Sequence, residues 1–422
     1  MANYSKDKSR IAVTTAGLRG TEWRVDRLPH DTKISVHALR TADGASVTGF
    51  LFRRGGERTV VCCMHPRELV VPSYVVPEIV SGGCAVWVQG SRSPGNDLRL
   101  EHETALLDLA AGQLFLREEE AFENAILLGM SGGGPLAAFY CQQASLPVSD
   151  RIKHAPGGRP VALETSALPV PDAVIFLSAH PGQGVILMNA IDPAVIDEAD
   201  PLRSDDSISA FNRSNGFRMP PESSSYSADF VSRYRQAQGE RVQRIDTIAR
   251  QHLERKAEAR ARKKQGGTQQ DAILAAHTPI FQVWRTDADL RFFDLSLDPS
   301  DRAYGSLWGA DPFVSNYGSV GFARSCTAES WLSNWSALSS NATMRRCAPD
   351  LRQPVLMIEY TGDNCVFPGD ADQIFEWIGS GNKTRFRVQG NHHGQTVVKG
   401  GPDGQIEAGA LMRSWLEERG FA

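Results

Sequence analysis

Asn124-Ala-Ile-Leu-Leu-Gly-Met-Ser131-Gly-Gly-Gly134-Pro-Leu-Ala-Ala-Phe-Tyr140 is an apolar run, a serine set between glycines, and a run of small and apolar residues. It reads as a strand, a sharp turn and a helix, with Ser131 at the apex. In the pattern G-x-S-x-G at Gly129-Met130-Ser131-Gly132-Gly133 the glycines have a physical task. A turn this tight presses its flanking positions against neighbouring backbone, where a Cβ would collide. The tightness pushes the serine hydroxyl out beyond the strand and aims the Gly132 amide at the place where an oxyanion would form. Ser131 is therefore the candidate nucleophile, and Met130 beside it a candidate contact for whatever Ser131 attacks.

The rest of the chain repeats the same rhythm. Lys33–Arg40 and Ser46–Arg53 alternate apolar and polar residues around Asp43-Gly44, which predicts a hairpin. Thr59–Met64, Cys84–Val88, Ala125–Gly129 and Ala173–Leu177 are continuous apolar runs, as buried strands are. Helices are expected at Pro72–Val80, at Glu101–Arg117 and after Ser131. Pro354–Tyr360 and Thr384–Val388 add two more strands, each followed by a helix (Ala371–Ile378 and Ile406–Glu418). The expectation is an α/β fold with eight strands in one mostly parallel sheet, helices on both faces and an antiparallel edge.

Between the sixth and seventh strands the rhythm stops. Residues 1–182 and 336–422 are expected to form the core, and 183–335 a cap insertion. The insertion opens with Asp-, Ser-, Asn- and Pro-rich loops, continues as one long helix over 228–264, and ends in an aromatic-rich stretch over 281–335. Eleven aromatic residues fall in that last stretch. Most are expected to pack the insertion itself. Trp284, Trp308 and Tyr317 are taken as candidates for a substrate pocket, since an aromatic-rich lid over a serine suits a flat or apolar molecule. The long helix is locally basic, but its C-terminal half lacks the interleaved aromatics of a single-strand binding surface. It is expected to be a solvated face.

Composition narrows the partners. The 422-residue chain has a formal net charge of −4 and no run of 18 apolar residues, so neither nucleic acid nor a membrane is an expected partner. Met1–Lys8 carries charges with no apolar segment behind it, unlike a signal or transit peptide. Seven cysteines, an odd number without C-x-x-C spacing, fit free thiols in a reducing cytoplasm. No H-E-x-x-H or other metal-ligand spacing is present, and no Lys-Ser/Thr follows Gly132-Gly133-Gly134 to make a phosphate loop. No cofactor is expected.

A serine hydroxyl is a weak nucleophile at neutral pH; it needs a base in reach, and the base needs an orienting carboxylate. Asp363 lies just past the seventh strand, in Glu359-Tyr-Thr-Gly-Asp363-Asn, with Glu359 and Asp370 as fallbacks. After the eighth strand, Gly390-Asn-His392-His393 offers two bases. The G-x-x-H spacing favours His393 and leaves His392 as the alternative. The loop after the third strand should supply a second oxyanion donor. Pro66 there has no N–H, so the Arg67 amide is the expected donor, or else a side chain. His65 and His180, at two strand ends, are expected to be structural or to line the pocket.

The elbow, Asp363 and the histidine pair, in the order serine, acid, histidine, resemble the α/β-hydrolase superfamily over the chain outside 183–335. Four strings are similar to bacterial zearalenone lactonases: Cys63-Met-His-Pro-Arg-Glu-Leu-Val70, Gln89-Gly-Ser-Arg-Ser-Pro-Gly-Asn-Asp97, Pro221-Glu-Ser-Ser-Ser-Tyr226 and Gly390-Asn-His-His-Gly394. The resemblance implies hydrolysis of the ester bond of a bulky phenolic macrolactone, without a cofactor, by a homodimer. A carbon–carbon bond hydrolase of aromatic degradation would use the same residues, and a non-catalytic binder could keep the same shape.

Overall fold

The computed structural model describes residues 25–70 and 74–422. The charged N-terminal segment and residues 71–73 lie outside them.

The eight expected strands are β1 (Lys33–Arg40), β2 (Ser46–Arg53), β3 (Thr59–Met64), β4 (Ala85–Gln89), β5 (Asn124–Met130), β6 (Ala173–Leu177), β7 (Val355–Tyr360) and β8 (Lys383–Val388). They form one sheet in the order β1-β2-β4-β3-β5-β6-β7-β8. The β1–β2 and β2–β4 pairings are antiparallel and the others parallel. With a serine elbow after β5, this is the α/β-hydrolase fold.

Successive residues of a strand face opposite sides of a sheet, and both sides here are covered. Val60, Cys62 and Met64 of β3 pack with Leu127 of β5 beneath α2 (His102–Glu118) and α3 (Gly133–Ser145). Val61 and Cys63 pack with Ile126 and Leu128 beneath α1 (Val75–Ser81) and the C-terminal helix. Two buried faces explain why these strands are continuously apolar rather than alternating. All seven cysteines are buried and free.

The chain between β6 and β7 holds α4 (Gln183–Ala190), α5 (Ala228–Lys264), α6 (Gln269–Ala276), α7 (Pro312–Tyr317), α8 (Ala328–Ser330), a π-helical turn (Trp331–Trp335) and α9 (Met344–Cys347). Helices α10 (Pro368–Trp377) and α11 (Gly404–Glu418) follow β7 and β8. The inserted chain has apolar clusters of its own: Val242 and Ile245 of α5 pack with Trp331 and Trp335, and Phe230 and Tyr234 with Phe292 and Phe293. Helix α5 also buries Gln238, Arg241 and Asp246, polar residues that an apolar stripe does not reveal. No helix among the described residues is long and apolar enough to cross a membrane.

Candidate active site

β5 ends at Met130, and the chain turns at once into α3. Ser131 has φ +48°, a conformation that costs a non-glycine residue energy and persists where the surroundings impose it. They do so here. The Ser131 amide donates to the Leu177 carbonyl of β6 (3.1 Å), and its carbonyl accepts from Gly134 (3.0 Å) and His180 (3.3 Å). The glycines are required by contact: a Cβ on Gly129 would lie 2.7 Å from Gly134 Cα, one on Gly133 2.9 Å from the Met64 carbonyl oxygen, and one on Gly134 2.4 Å from Ala179 Cβ. Nothing longer than hydrogen fits between β5, β3 and β6 at this turn.

Asp363 and a histidine reach Ser131 from the ends of the next two strands. Nδ1 of His392 donates to Asp363 Oδ2 (2.7 Å), and Nε2 of His392 accepts from Ser131 Oγ (3.0 Å). Asp363 and His392 are both buried. The other Asp363 oxygen accepts from the amides of Cys365 (2.7 Å) and Val366 (3.0 Å). The Asp363 carboxylate accepts the Nδ1 proton, which fixes the imidazole tautomer with Nε2 unprotonated and facing the serine.

His392, not the expected His393, therefore stands between Asp363 and Ser131. Spacing from Gly390 misleads because the turn is closed by Asn391. The Asn391 side chain accepts from the amides of His393 (3.0 Å) and Gln395 (3.0 Å), and its carbonyl accepts from Gly394 (2.7 Å). The His393 ring packs against His392 at 70° and 5.1 Å, and its buried Nε2 has no hydrogen-bond partner among the described residues. Burial and the neighbouring His392 hold the His393 ring down at about 3. Neither fallback acid is at the serine. Glu359 pairs with Arg385 and Arg387, and Asp370 with Arg291.

The oxyanion side differs from expectation as well. The Gly132 amide, at the N-terminal edge of α3, donates to no group among the described residues. The Arg67 amide is not free to join it: it donates to Nδ1 of His65 (3.2 Å), as does the Glu68 amide (3.1 Å). The Arg67 side chain makes a two-pronged pair with Asp97 (2.8 and 2.7 Å), its guanidinium 4.7 Å from the centre of the Trp335 ring. His65 and His180 both come to Gly132.

The remaining expected contacts separate. Trp308 packs on Phe322, which joins a small apolar cluster with Ile186, Leu307 and Cys365, two residues from Asp363. Trp284 lies beneath the Arg324 guanidinium (4.5 Å) and Tyr317 beneath that of Arg285 (5.4 Å), within the inserted chain. Tyr317 lines an open pocket with Arg285 and Phe313 that includes none of Ser131, Asp363 and His392. Met130 is half-buried, with Sδ 3.9 Å from Cys63 Sγ. A cleft of about 910 Å³ between α5 and the loop carrying Arg92 and Arg99 is likewise apart from Ser131.

Two participants carried no sequence signal. Ser178, at the end of β6 with φ +42°, donates from its hydroxyl to the His392 carbonyl (3.0 Å). Gln183, the first residue of α4, brings Nε2 to Gly132. Each becomes visible only when β6 is placed beside β5. Among the described residues no group of three or more His, Cys, Asp or Glu is placed to hold a metal ion.

No family model and no curated protein matches the sequence. Solved structures do match. An esterase of Pyrococcus furiosus is 9% identical, with 92% of this chain and 91% of that chain covered and a TM-score of 0.41. An α/β hydrolase from Penicillium sp. sh18 is 12% identical, with 85% and 91% covered and a TM-score of 0.44. DcsB, solved in complex with a substrate analogue, is 12% identical, with 92% and 99% covered and a TM-score of 0.49. Likeness this distant does not extend to activity or substrate.

Proposed function

We propose that this protein is a serine carboxylic-ester hydrolase. The observation that carries the reading is the single ring of His392, which spans Asp363 (2.7 Å) and Ser131 (3.0 Å) at the apex of a strained elbow. Ser131 Oγ attacks the ester carbonyl while its proton passes to His392 Nε2. Asp363 stabilises the imidazolium that results. Collapse of the intermediate breaks the carbon–oxygen bond of the ester, and the departing alkoxide takes the proton back from His392. Water then adds to the acyl-enzyme with His392 again as base, releasing the acid and regenerating Ser131.

For the substrate we propose a bulky, largely apolar lactone of the zearalenone type. Support comes from the resemblance of four strings to those of zearalenone lactonases and from the aromatic cluster of Trp308, Phe322 and Trp335 that adjoins Cys365. A lactone keeps its leaving alcohol tethered to the acyl group, so such a site must bring water to the acyl-enzyme before the alcohol returns.

The test is turnover of a panel of macrolactones, zearalenone included, by the wild type and by Ser131→Ala. Loss of the nucleophile is expected to reduce kcat by about 10⁴–10⁶-fold. Undiminished turnover in that variant removes the serine from the mechanism. Turnover of a β-diketone ring-cleavage substrate in place of every lactone replaces ester hydrolysis with carbon–carbon bond hydrolysis.

A further inference from the structure

Three side-chain nitrogens surround Gly132. A Cβ at this position would lie 2.8 Å from His65 Nε2, 2.8 Å from Gln183 Nε2 and 3.2 Å from His180 Nε2. All three side chains are buried. Their protons can be placed from their other contacts. His65 Nδ1 accepts from the Arg67 and Glu68 amides, and His180 Nδ1 from the Gly182 amide (3.2 Å). A neutral ring whose Nδ1 accepts carries its proton on Nε2. Burial first, then nearby positive charge, holds His65 down at about 3, and burial holds His180 well below its ordinary range. Both rings therefore remain neutral donors at working pH.

Among the described residues neither histidine Nε2 makes a hydrogen bond. Donors cannot satisfy one another, and none of the three is a sealed, unsatisfied atom, so the cradle is open to a group that arrives there. A cradle of convergent N–H groups is suited to an oxygen that arrives with the substrate. The backbone of the same loop has nothing left to offer that oxygen, for Pro66 has no N–H and the next two amides are spent on His65 Nδ1.

We propose that His65 Nε2–H is the second oxyanion donor, acting beside the Gly132 amide, with His180 Nε2–H as an auxiliary donor in the same cradle. The proposal rests on the ester-hydrolase reading above. As Ser131 Oγ bonds to the carbonyl carbon, the carbonyl π pair moves onto oxygen, and that oxygen accepts from Gly132 and His65. No proton is transferred to it. On collapse the pair returns to the carbon–oxygen bond and the alkoxide leaves.

The experiment uses the full chain with p-nitrophenyl butyrate as substrate and an aryl trifluoromethyl ketone as transition-state analogue. Two substitutions divide the two nitrogens of His65. His65→Asn keeps an acceptor near the Nδ1 position for the loop amides and removes the distal donor; His65→Gln restores a donor near Nε2. His65→Asn is expected to lower kcat by about 10²–10³-fold, with KM little changed, with a matching loss of ketone affinity and an unshifted pH profile, because His65 does not titrate in the working range. His65→Gln is expected to recover most of the lost rate. His180→Asn, which likewise keeps an acceptor for the Gly182 amide, is expected to lose about tenfold in kcat, and it stands as an independent test if the His65 variants do not fold. Wild-type kcat and ketone affinity in folded His65→Asn and His180→Asn overturn the proposal, as does equal impairment of His65→Asn and His65→Gln with ketone affinity unchanged. A wild-type enzyme that forms no acyl adduct on Ser131, read by mass spectrometry, overturns the ester-hydrolase reading instead.

Discussion

In β3 and β6 every residue is buried and none is charged. In the chain between β6 and β7, the residues with almost no exposure include Asp192, Arg241, Arg285 and Asp289. Arg285 binds Asp192 through Nε (2.9 Å) and Nη2 (2.5 Å), and Arg241 makes a two-pronged pair with Glu198 (3.0 and 2.8 Å). Asp289 lies between Arg235 and Arg291, whose guanidinium groups overcome its burial and hold its carboxyl far below the usual range. The centre of the sheet is joined by contacts that any apolar side chain of the right volume could make. The inserted chain adds to its apolar clusters contacts that specify their partner. The first kind gives stability with little dependence on detail; the second gives one arrangement and fails sharply when half of a pair is removed.

The largest effect on stability should come from halving a buried pair. Arg285→Met leaves the fully buried Asp192 carboxylate unpaired and is expected to cost about 3–5 kcal/mol, whereas Arg285→Met with Asp192→Leu recovers much of it. Urea midpoints for the single and double variants check this, and a double variant as unstable as the single one erases the distinction. In the sheet, Leu356→Ala in β7 opens a cavity at a fully buried site and is expected to cost about 2–5 kcal/mol, while Leu356→Met costs under about 1.5 kcal/mol.

Acid should act on the histidines between the two regions. Folding holds His65 at about 3 and His102 at about 4, from an ordinary value of 6.5, chiefly through burial. Below pH 6.5 the unfolded chain takes up protons that the folded chain refuses. Stability from these groups is therefore complete above pH 6.5 and is lost as pH falls toward about 3, by up to about 1.4 kcal/mol per pH unit for each ring. A thermal midpoint that rises between pH 6.5 and 5 contradicts this. The smallest effect belongs to the exposed face of α5, where Arg233→Ala removes a solvent-facing pair with Asp229 and should change stability by less than about 0.5 kcal/mol.

The same division explains what the sequence disclosed. All eight strands and both bounds of α5 follow from patterning, because burial on two faces demands unbroken apolar runs and a 37-residue helix leaves a long periodic trace. Asp363 follows from its place after β7. The choice of His392 over His393 depended on the Asn391 side chain closing a turn, and the loss of the Arg67 amide on a histidine two residues earlier in the chain. Trp284 and Tyr317 have the composition of pocket residues, but each lies beneath a guanidinium held elsewhere. These are long-range or irregular polar contacts, which leave no period in the sequence.

The Ser178 hydroxyl holds the backbone of His392, while Asp363 and Ser131 hold its ring. His392 is thus moored at three points, one of them at the residue where the chain leaves the sheet. In the proposed mechanism, a ring so held has surrendered its torsional entropy during folding rather than during each turnover, so little of the activation barrier need be spent on aligning it. The same mooring fastens the inserted chain, at its root, to His392.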